Sequence, residues 1–98
     1  MKIVWLPVAE RQRAEQMEYI ARDNPLAAAD QDECVGKRLQ VLKDHPRLGR
    51  SGRVEGTREL VIAGTPFIVV YRVQAERIEV IRFLHGAQRW PQESPGTR

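Results

Sequence analysis

The sequence predicts an α+β fold in which an N-terminal strand, a helical hairpin and a three-stranded antiparallel meander form one sheet, with the helices packed on one face. Three apolar runs rich in Val, Ile, Tyr and Phe are typical of strands, residues 60–63, 67–73 and 78–84. The links between these runs are too short for a parallel crossover, so the runs must form hairpins. In the first half of the chain, apolar residues recur instead with helical spacing.

The N-terminal run, residues 2–6 (KIVWL), predicts a short strand that ends before Pro7. Because so short a strand is not stable alone, we expect it to join the sheet of the meander. Residues 8–23 then change to helical spacing. The predicted buried stripe of this helix contains Ala14, Met17, Ile20 and Ala21.

A second helix is predicted over Pro25–Asp44. Asn24 is a good N-cap, and Pro25 suits the first helical position, where its missing N–H costs nothing. The helix should end before Pro46. Its predicted buried face contains Ala28, Val35, Leu39 and Leu42. Two helices joined by so tight a turn form a hairpin, which has only the sheet to pack against.

The remaining segments are polar. Residues 47–57 (RLGRSGRVEGT) have no apolar period and predict a loop, in which Val54 could begin a short edge pairing. The Pro-rich residues 91–98 predict a frayed tail. With no internal repeat and no second core, residues 1–98 are expected to form a single domain.

The predicted central strand, residues 67–73, is apolar on both faces as far as Arg72. The helical hairpin can cover one face. The other face requires either a partner protein or the chain termini. In the last strand, Ile78 and Val80 alternate in one phase and Ile81 and Phe83 in the other, which indicates a bulge or burial on both faces.

Composition excludes several classes of protein. The single cysteine, Cys34, excludes an internal disulfide, and we expect it to be buried as a small hydrophobe rather than reactive. No cofactor or metal motif is present, so no cofactor and no metal are expected. No apolar run approaches the roughly 18 residues of a membrane span, and the N-terminus lacks a signal peptide, so the predicted location is cytoplasmic.

Charge is distributed unevenly along the chain. Residues 1–45 carry seven Lys or Arg and eight Asp or Glu, a net charge of −1, whereas residues 46–98 carry nine and five, a net charge of +4. All nine cations of the second half are arginine. Because arginine suits bidentate contact with phosphate or carboxylate, the pattern favours an acidic partner, either nucleic acid or an acidic protein segment.

A few residues are candidates for a site. Arg58, Arg72 and Arg82 fall on predicted strands and form one cationic patch if the strand register places them on one face. His85, at the end of the last strand, is either a general acid or base beside arginines or a structural residue bonded to backbone. Trp90 is either a stacking platform or interface anchor, or part of the core.

The order of elements, with the segments RELV (58–61), GTPFIVVYRV (64–73) and IEVIRFLHGAQRWP (78–91), resembles the RelE/ParE superfamily of type II toxin–antitoxin toxins over residues 3–90. The resemblance implies a small α+β toxin whose growth-arresting activity is neutralised in a hetero-oligomer with a cognate antitoxin. The C-terminal segment of such an antitoxin, commonly amphipathic and acidic, wraps the helices and the sheet.

Two branches of the superfamily differ in target. The RelE branch cleaves messenger RNA on the ribosome, and the ParE branch acts on DNA gyrase. Where RelE has a catalytic arginine before the Val-Tyr of its third strand, this chain has Ile68, and no tyrosine or histidine follows Trp90. These departures favour a ParE-like gyrase inhibitor without catalytic residues.

In that preferred reading, the residues expected to contact the target or the antitoxin are Arg58, Arg72, Arg82, His85, Arg89 and Trp90. The alternative is a RelE-like endoribonuclease that uses Arg58, His85 and Arg89. A third possibility is a degenerate toxin that only binds its partner.

Overall fold

A computed structural model describes residues 1–86, 88, 90 and 91. Its elements in chain order are β1 (Lys2–Trp5), α1 (Pro7–Asp23), α2 (Pro25–Asp44), β2 (Arg50–Ser51), β3 (Arg58–Val61), β4 (Phe67–Gln74) and β5 (Arg77–His85). Within the described residues they form a five-stranded sheet in the order β1-β5-β4-β3-β2. The α+β class is confirmed, and β2 is a short edge strand that lies earlier in the loop than the edge pairing expected at Val54.

The N-terminal strand joins the sheet as expected. β1 pairs in parallel with the first half of β5, from Lys2 opposite Arg77 to Trp5 opposite Val80. Parallel pairing requires a long connection, and here the helical hairpin and the preceding strands of the meander separate β1 from β5. Beyond Val80, no strand among the described residues pairs with β5 on this side. The side chain of Gln12 on α1 instead accepts a hydrogen bond from the Phe83 backbone N–H at 2.9 Å.

The contact of α1 with β5 explains an error in the predicted stripe of this helix. Ala9 is fully buried, and Met17 and Ile20 pack against the core, whereas Ala14 is exposed. The side of α1 that faces the sheet includes the polar Gln12, which the apolar pattern could not select. The true stripe is therefore partly polar, and Ala14 lies outside it.

The second helix follows the prediction at both ends. Asn24 is the N-cap, and its side-chain oxygen accepts a hydrogen bond from the Ala27 backbone N–H at 3.0 Å. The helix ends at Asp44. Its buried residues are Ala28, Val35, Leu39 and Leu42, as predicted. Neither helix is long and apolar enough to cross a membrane, within the residues that the structure describes.

The core lies between the helical hairpin and one face of the sheet. Val35, Leu39 and Leu42 of α2 pack with alternate residues of the strands. Those strand residues are Leu60, Phe67, Val69, Tyr71, Ile78, Val80 and Phe83. Cys34 is half-buried and packs against this cluster, in line with its expected role as a small hydrophobe.

The predicted irregularity in the last strand is a β-bulge. Tyr71 pairs with Val80 while the preceding Val70 pairs with Arg82, so Ile81 is the extra residue. The bulge reverses the alternation of side chains along β5. Beyond it, even-numbered residues such as Arg82 occupy the sheet face opposite the helices, which is called the open face below.

The loop between α2 and β3 is ordered by Tyr71. The buried Tyr71 hydroxyl donates to the Pro46 carbonyl at 2.7 Å and accepts from the Gly49 N–H at 2.9 Å. The edge pairing in this loop occurs at Arg50–Ser51 with β3, so its expected start at Val54 was wrong. Val54 instead closes a turn, because its carbonyl accepts from both the N–H and the hydroxyl of Thr57.

Candidate partner-binding site

The three arginines predicted to form one patch lie on two faces of the sheet. Arg58 is directly opposite Tyr71, whose side chain is in the core, so Arg58 lies on the helix side. There its NH1 group donates to the Gly49 carbonyl at 2.8 Å. Arg72 and Arg82 alternate with core residues and lie on the open face. The patch of three is therefore not formed, because strand register separates Arg58 from the other two.

The open face carries a different set of arginines, called the arginine face below. Its members are Arg50, Arg53, Arg72, Arg77 and Arg82. One row crosses four strands, since Arg50 is opposite Glu59, Glu59 opposite Val70, and Val70 opposite Arg82. Side chains directly opposite each other on paired strands share a face, so Arg50 and Arg82 lie on one face at opposite ends of this row.

The first of two acidic residues on this face is Glu59, whose side chain is fully buried. Arg53 binds it through Nε, at 3.1 and 3.2 Å from the two carboxylate oxygens, and through NH2 at 3.0 Å. The Arg53 backbone N–H also donates to Glu59 at 2.9 Å, and Arg50 adds a longer contact of 3.4 Å. Glu59 thereby fixes the loop between β2 and β3 against the sheet.

The second acidic residue, Glu79, has the same arrangement on β5. Arg72, directly opposite on β4, donates from Nε to one carboxylate oxygen at 2.6 Å. Arg77 contacts the other oxygen through NH2 at 2.5 Å. Each buried carboxylate thus binds two arginines, and each cluster retains a net positive charge.

Arg82, on β5, lies in the same row as Glu59 with Val70 between them, and it differs from the other arginines of this face. Its NH1 group donates to the Ile81 carbonyl at 2.8 Å, and its guanidinium carbon lies 5.2 Å from the centroid of the Trp90 ring. Within the described residues it has no carboxylate partner. The Trp90 ring therefore contributes to covering the open face, which is the chain-terminus alternative expected from the sequence, and it leaves the charge of Arg82 unneutralised.

Both carboxylates have depressed pKa values. Burial would raise the pKa of Glu59, but the hydrogen bonds and positive charge of Arg53 and the hydrogen bond of Arg50 outweigh burial and hold that pKa below its ordinary value. For Glu79, the hydrogen bond from Arg72 is the largest cause of a lowered pKa, opposed by burial and reinforced by the charges of Arg77 and Arg72. Both groups are therefore ionised at neutral pH.

These shifts predict a loss of stability in acid. In the unfolded chain each glutamate titrates near its ordinary pKa of 4.5, above its folded value. Below that pH the unfolded state binds more protons, so the free energy of unfolding should fall as pH drops from about 5 through the folded pKa values. We expect Glu59→Gln and Glu79→Gln to flatten this decline in melting temperature between pH 7 and pH 3. An unchanged decline in both variants would contradict this assignment.

His85 does not join the arginine face. By alternation it lies on the helix side of β5, and its ring meets Phe67 edge-on, with the centroids 6.3 Å apart. Its backbone N–H donates to the Gln88 side chain at 2.6 Å. Arg58 and His85 pair with Tyr71 and Phe67, four residues apart on β4, a separation of about 13 Å along the strand. These two ribonuclease candidates therefore do not converge. Arg89 lies outside the described residues.

Arg58 instead lines a groove of about 1050 Å³ beyond the end of α2. Partly exposed apolar side chains of Met1, Leu48 and Val73 form part of its wall. Asp44 and Arg47 add charges of opposite sign. The groove is mixed in character, unlike the uniformly cationic arginine face.

Sequence reasoning missed Arg50, Arg53 and Arg77 as members of this face, and Glu59 and Glu79 beneath them. One signal was available. The two-residue turn at Ala75 and Glu76 places Gln74 opposite Arg77, and counting back places Arg72 opposite Glu79. For the Glu59 cluster no such signal existed, because the contact of Arg53 depends on how the preceding loop folds.

Across the described residues, no group of three or more His, Cys, Asp or Glu could hold a metal ion.

Comparison with known proteins identifies the family. A family model described as "ParE toxin of type II toxin-antitoxin system, parDE" matches residues 3–90. The chain belongs to this ParE toxin family. It is 38% identical, over 91 residues covering 93% of this chain and 94% of the relative, to "Putative toxin Y4kP" of Sinorhizobium fredii (strain NBRC 101917 / NGR234). The resemblance to the RelE/ParE superfamily is therefore confirmed, and as a type II toxin this chain has an antitoxin partner.

Solved structures share the fold of this ParE-family chain. One, from a "Chromosomal ParDE TA system from P. aeruginosa", superposes with a TM-score of 0.76 at 21% identity, covering 85% of this chain and 92% of that one. Another, "YoeB/ParE toxin from Agrobacterium tumefaciens", gives a TM-score of 0.57 at 24% identity, covering 85% and 95%. At these identities the likeness concerns the fold alone.

Proposed function

We propose that this ParE-family toxin arrests growth by inhibiting DNA gyrase and that a cognate antitoxin neutralises it by covering the arginine face. The observation that carries the proposal is the concentration of arginines on one exposed sheet face. Arg50, Arg53, Arg72 and Arg77 are all partly exposed on that face, with side-chain exposures between 42% and 64%. A surface of one sign attracts and orients an acidic partner.

The position of Ile68 supports inhibition by binding rather than RNA cleavage. It occupies the place of a catalytic arginine in the resemblance to RelE, and it is 8% exposed on the open face. An apolar side chain there cannot stabilise charge on a phosphate. The separation of Arg58 from His85 supports the same reading.

The test is a supercoiling assay with purified gyrase, run beside a translating extract probed for cut messenger RNA. Loss of supercoiling with intact message is the expected result. Cut message with normal supercoiling would replace the proposal with the RelE-like endoribonuclease. A toxin that has no effect in either assay, and fails to arrest growth when expressed without antitoxin, would be the degenerate partner-binding module.

Arg82→Ala separates binding from folding. The substitution removes a guanidinium that has no carboxylate partner among the described residues and stacks on Trp90, so the free energy of unfolding should fall by no more than about 1 kcal/mol. Affinity for the antitoxin should fall on the order of tenfold or more, since an arginine within an interface is a typical hot spot. Calorimetric titration and a thermal melt measure the two effects. Arg11→Ala, on the exposed side of α1, is the matched control.

A collapsed melting curve for Arg82→Ala would show that this arginine is structural. Unchanged affinity with an intact fold would place the antitoxin on another surface.

A further inference from the structure

Acidic groups lie beneath basic groups on the arginine face. The side chains of Glu59 and Glu79 are 0% and 5% exposed, whereas the four arginines bound to them are 42% to 64% exposed. Charged groups of both signs usually reach solvent on a protein surface. Here the carboxylates are inside and the guanidinium groups outside, so a partner approaching these two clusters meets the guanidinium groups before the carboxylates.

Buried carboxylates are not needed to pack this face of the sheet. Removing a carboxylate from water has a large desolvation cost, and replacing a buried ion pair by apolar residues of similar volume is often neutral or stabilising. Ile68 and Val70, on the same face, show that apolar side chains are accommodated there. A carboxylate can fix the direction of a guanidinium group through hydrogen bonds, whereas an apolar residue cannot.

We propose that Glu59 and Glu79 are positioning residues that hold Arg53 and Arg72 in the orientation that binds the carboxylates of an acidic partner. The inference rests on the proposed function in one respect, that the arginine face contacts an acidic protein segment. A side chain ordered before binding does not lose its rotamer freedom on binding, and this raises affinity.

The contacts of Arg72 support this role. It binds Glu79 through Nε at 2.6 Å, which leaves its two terminal nitrogens for a second carboxylate. Those nitrogens form the end of the guanidinium fork that matches a carboxylate bidentately. Arg77 holds the other oxygen of Glu79, so the carboxylate cannot rotate freely and the direction of Arg72 is fixed.

Arg53 is held more tightly still. Glu59 binds its Nε, its NH2 and its backbone N–H, which fixes both ends of the residue. Because the backbone contact anchors the loop itself, Glu59 sets the position of the arginine as well as its direction.

The test is whether removing one negative charge strengthens or weakens binding of an acidic ligand. Glu59→Gln and Glu79→Gln each add one positive charge to the face. If the carboxylates only offset the arginine charge, both variants should bind an acidic ligand more tightly. If they position the arginines, both should bind it more weakly. Glu55→Gln and Glu76→Gln are the matched controls, because both residues are exposed in neighbouring turns and the charge change is identical.

The probe is a fluorescein-labelled peptide of alternating glutamate and threonine, titrated with the full-length toxin variants at fixed salt. We expect the controls to bind as tightly as the wild type or more tightly, and the two test variants to bind roughly 2- to 10-fold more weakly. NMR exchange of the Nε protons of Arg53 and Arg72 gives an independent readout. These protons should exchange slowly in the wild type and faster in the variant that lacks their carboxylate.

Binding by the test variants equal to or tighter than the controls would overturn the proposal. Unfolding of both test variants would also overturn it, because the carboxylates would then be structural. A single-stranded oligonucleotide titrated in parallel tests the chemistry of the partner, and a weakening confined to the oligonucleotide would replace carboxylate by phosphate as the ligand. None of these assays needs gyrase, so failure of gyrase inhibition leaves them interpretable, and their failure leaves gyrase inhibition standing.

Discussion

Val69→Asp is expected to leave the protein unfolded at 25 °C. Val69 is fully buried in the central strand β4, within the cluster between the sheet and α2. An unpaired carboxylate there costs several kcal/mol, against a total stability of roughly 5–15 kcal/mol for a domain of this size. Leu39→Asp, in the facing helix, should have the same effect. Far-UV circular dichroism and a urea titration measure both.

Val61→Asp is the control for this prediction. Val61 pairs within the same sheet on β3 but is 50% exposed, so its substitution should change the free energy of unfolding by less than about 1 kcal/mol. A cooperative melt for Val69→Asp close to that of the wild type would show that the face between β4 and the helices is not the core.

Gly49→Ala is expected to lower the free energy of unfolding by about 2–4 kcal/mol, by combining overpacking with lost hydrogen bonds. A β-carbon at this position would lie 2.8 Å from the Tyr71 ring and hydroxyl and 2.9 Å from the Glu59 carbonyl oxygen. The Tyr71 ring is buried and cannot withdraw, so the loop must move. This weakens the hydrogen bond that the Tyr71 hydroxyl donates to Pro46 and the one that it accepts from Gly49. Urea denaturation measures the change.

Gly36→Ala provides a control of opposite sign. Among the described residues, a β-carbon at Gly36, in the interior of α2, meets no atom within 4 Å apart from its chain neighbours and the backbone of its own helix. Alanine there should stabilise the protein by up to about 1 kcal/mol, because glycine is the weaker helix former. If Gly49→Ala were as stable as the wild type, the contact between the loop and Tyr71 would not order this segment.

Local signals account for the parts of the fold that were predicted well. The start of α2 follows from Asn24 and Pro25, whose effects act within one turn of helix. The short links fixed the hairpins, and the change of phase after Val80 indicated either a bulge or burial on both faces, of which the structure has the bulge, at Ile81. Each signal is carried by residues close together in the chain, so no tertiary contact is needed to interpret it.

The errors share a different origin. Ala14 was placed in the buried stripe because it is apolar. The side of α1 that packs on the sheet instead includes Gln12, which accepts a hydrogen bond from a β5 backbone N–H that does not pair with β1. The strand at Arg50 depends on the hydroxyl of Tyr71, which orders the loop before it. Both outcomes depend on residues far apart in the sequence.

The candidate site shows the same division. The excess of arginine in the second half, and the resemblance to a family of toxins that bind antitoxins, were determined by the sequence alone. Which arginines act together was decided by tertiary structure. Successive residues of a strand point to opposite faces, so register placed Arg58 on the helix side, and the bulge at Ile81 placed Arg82 on the open face, in one row with Glu59.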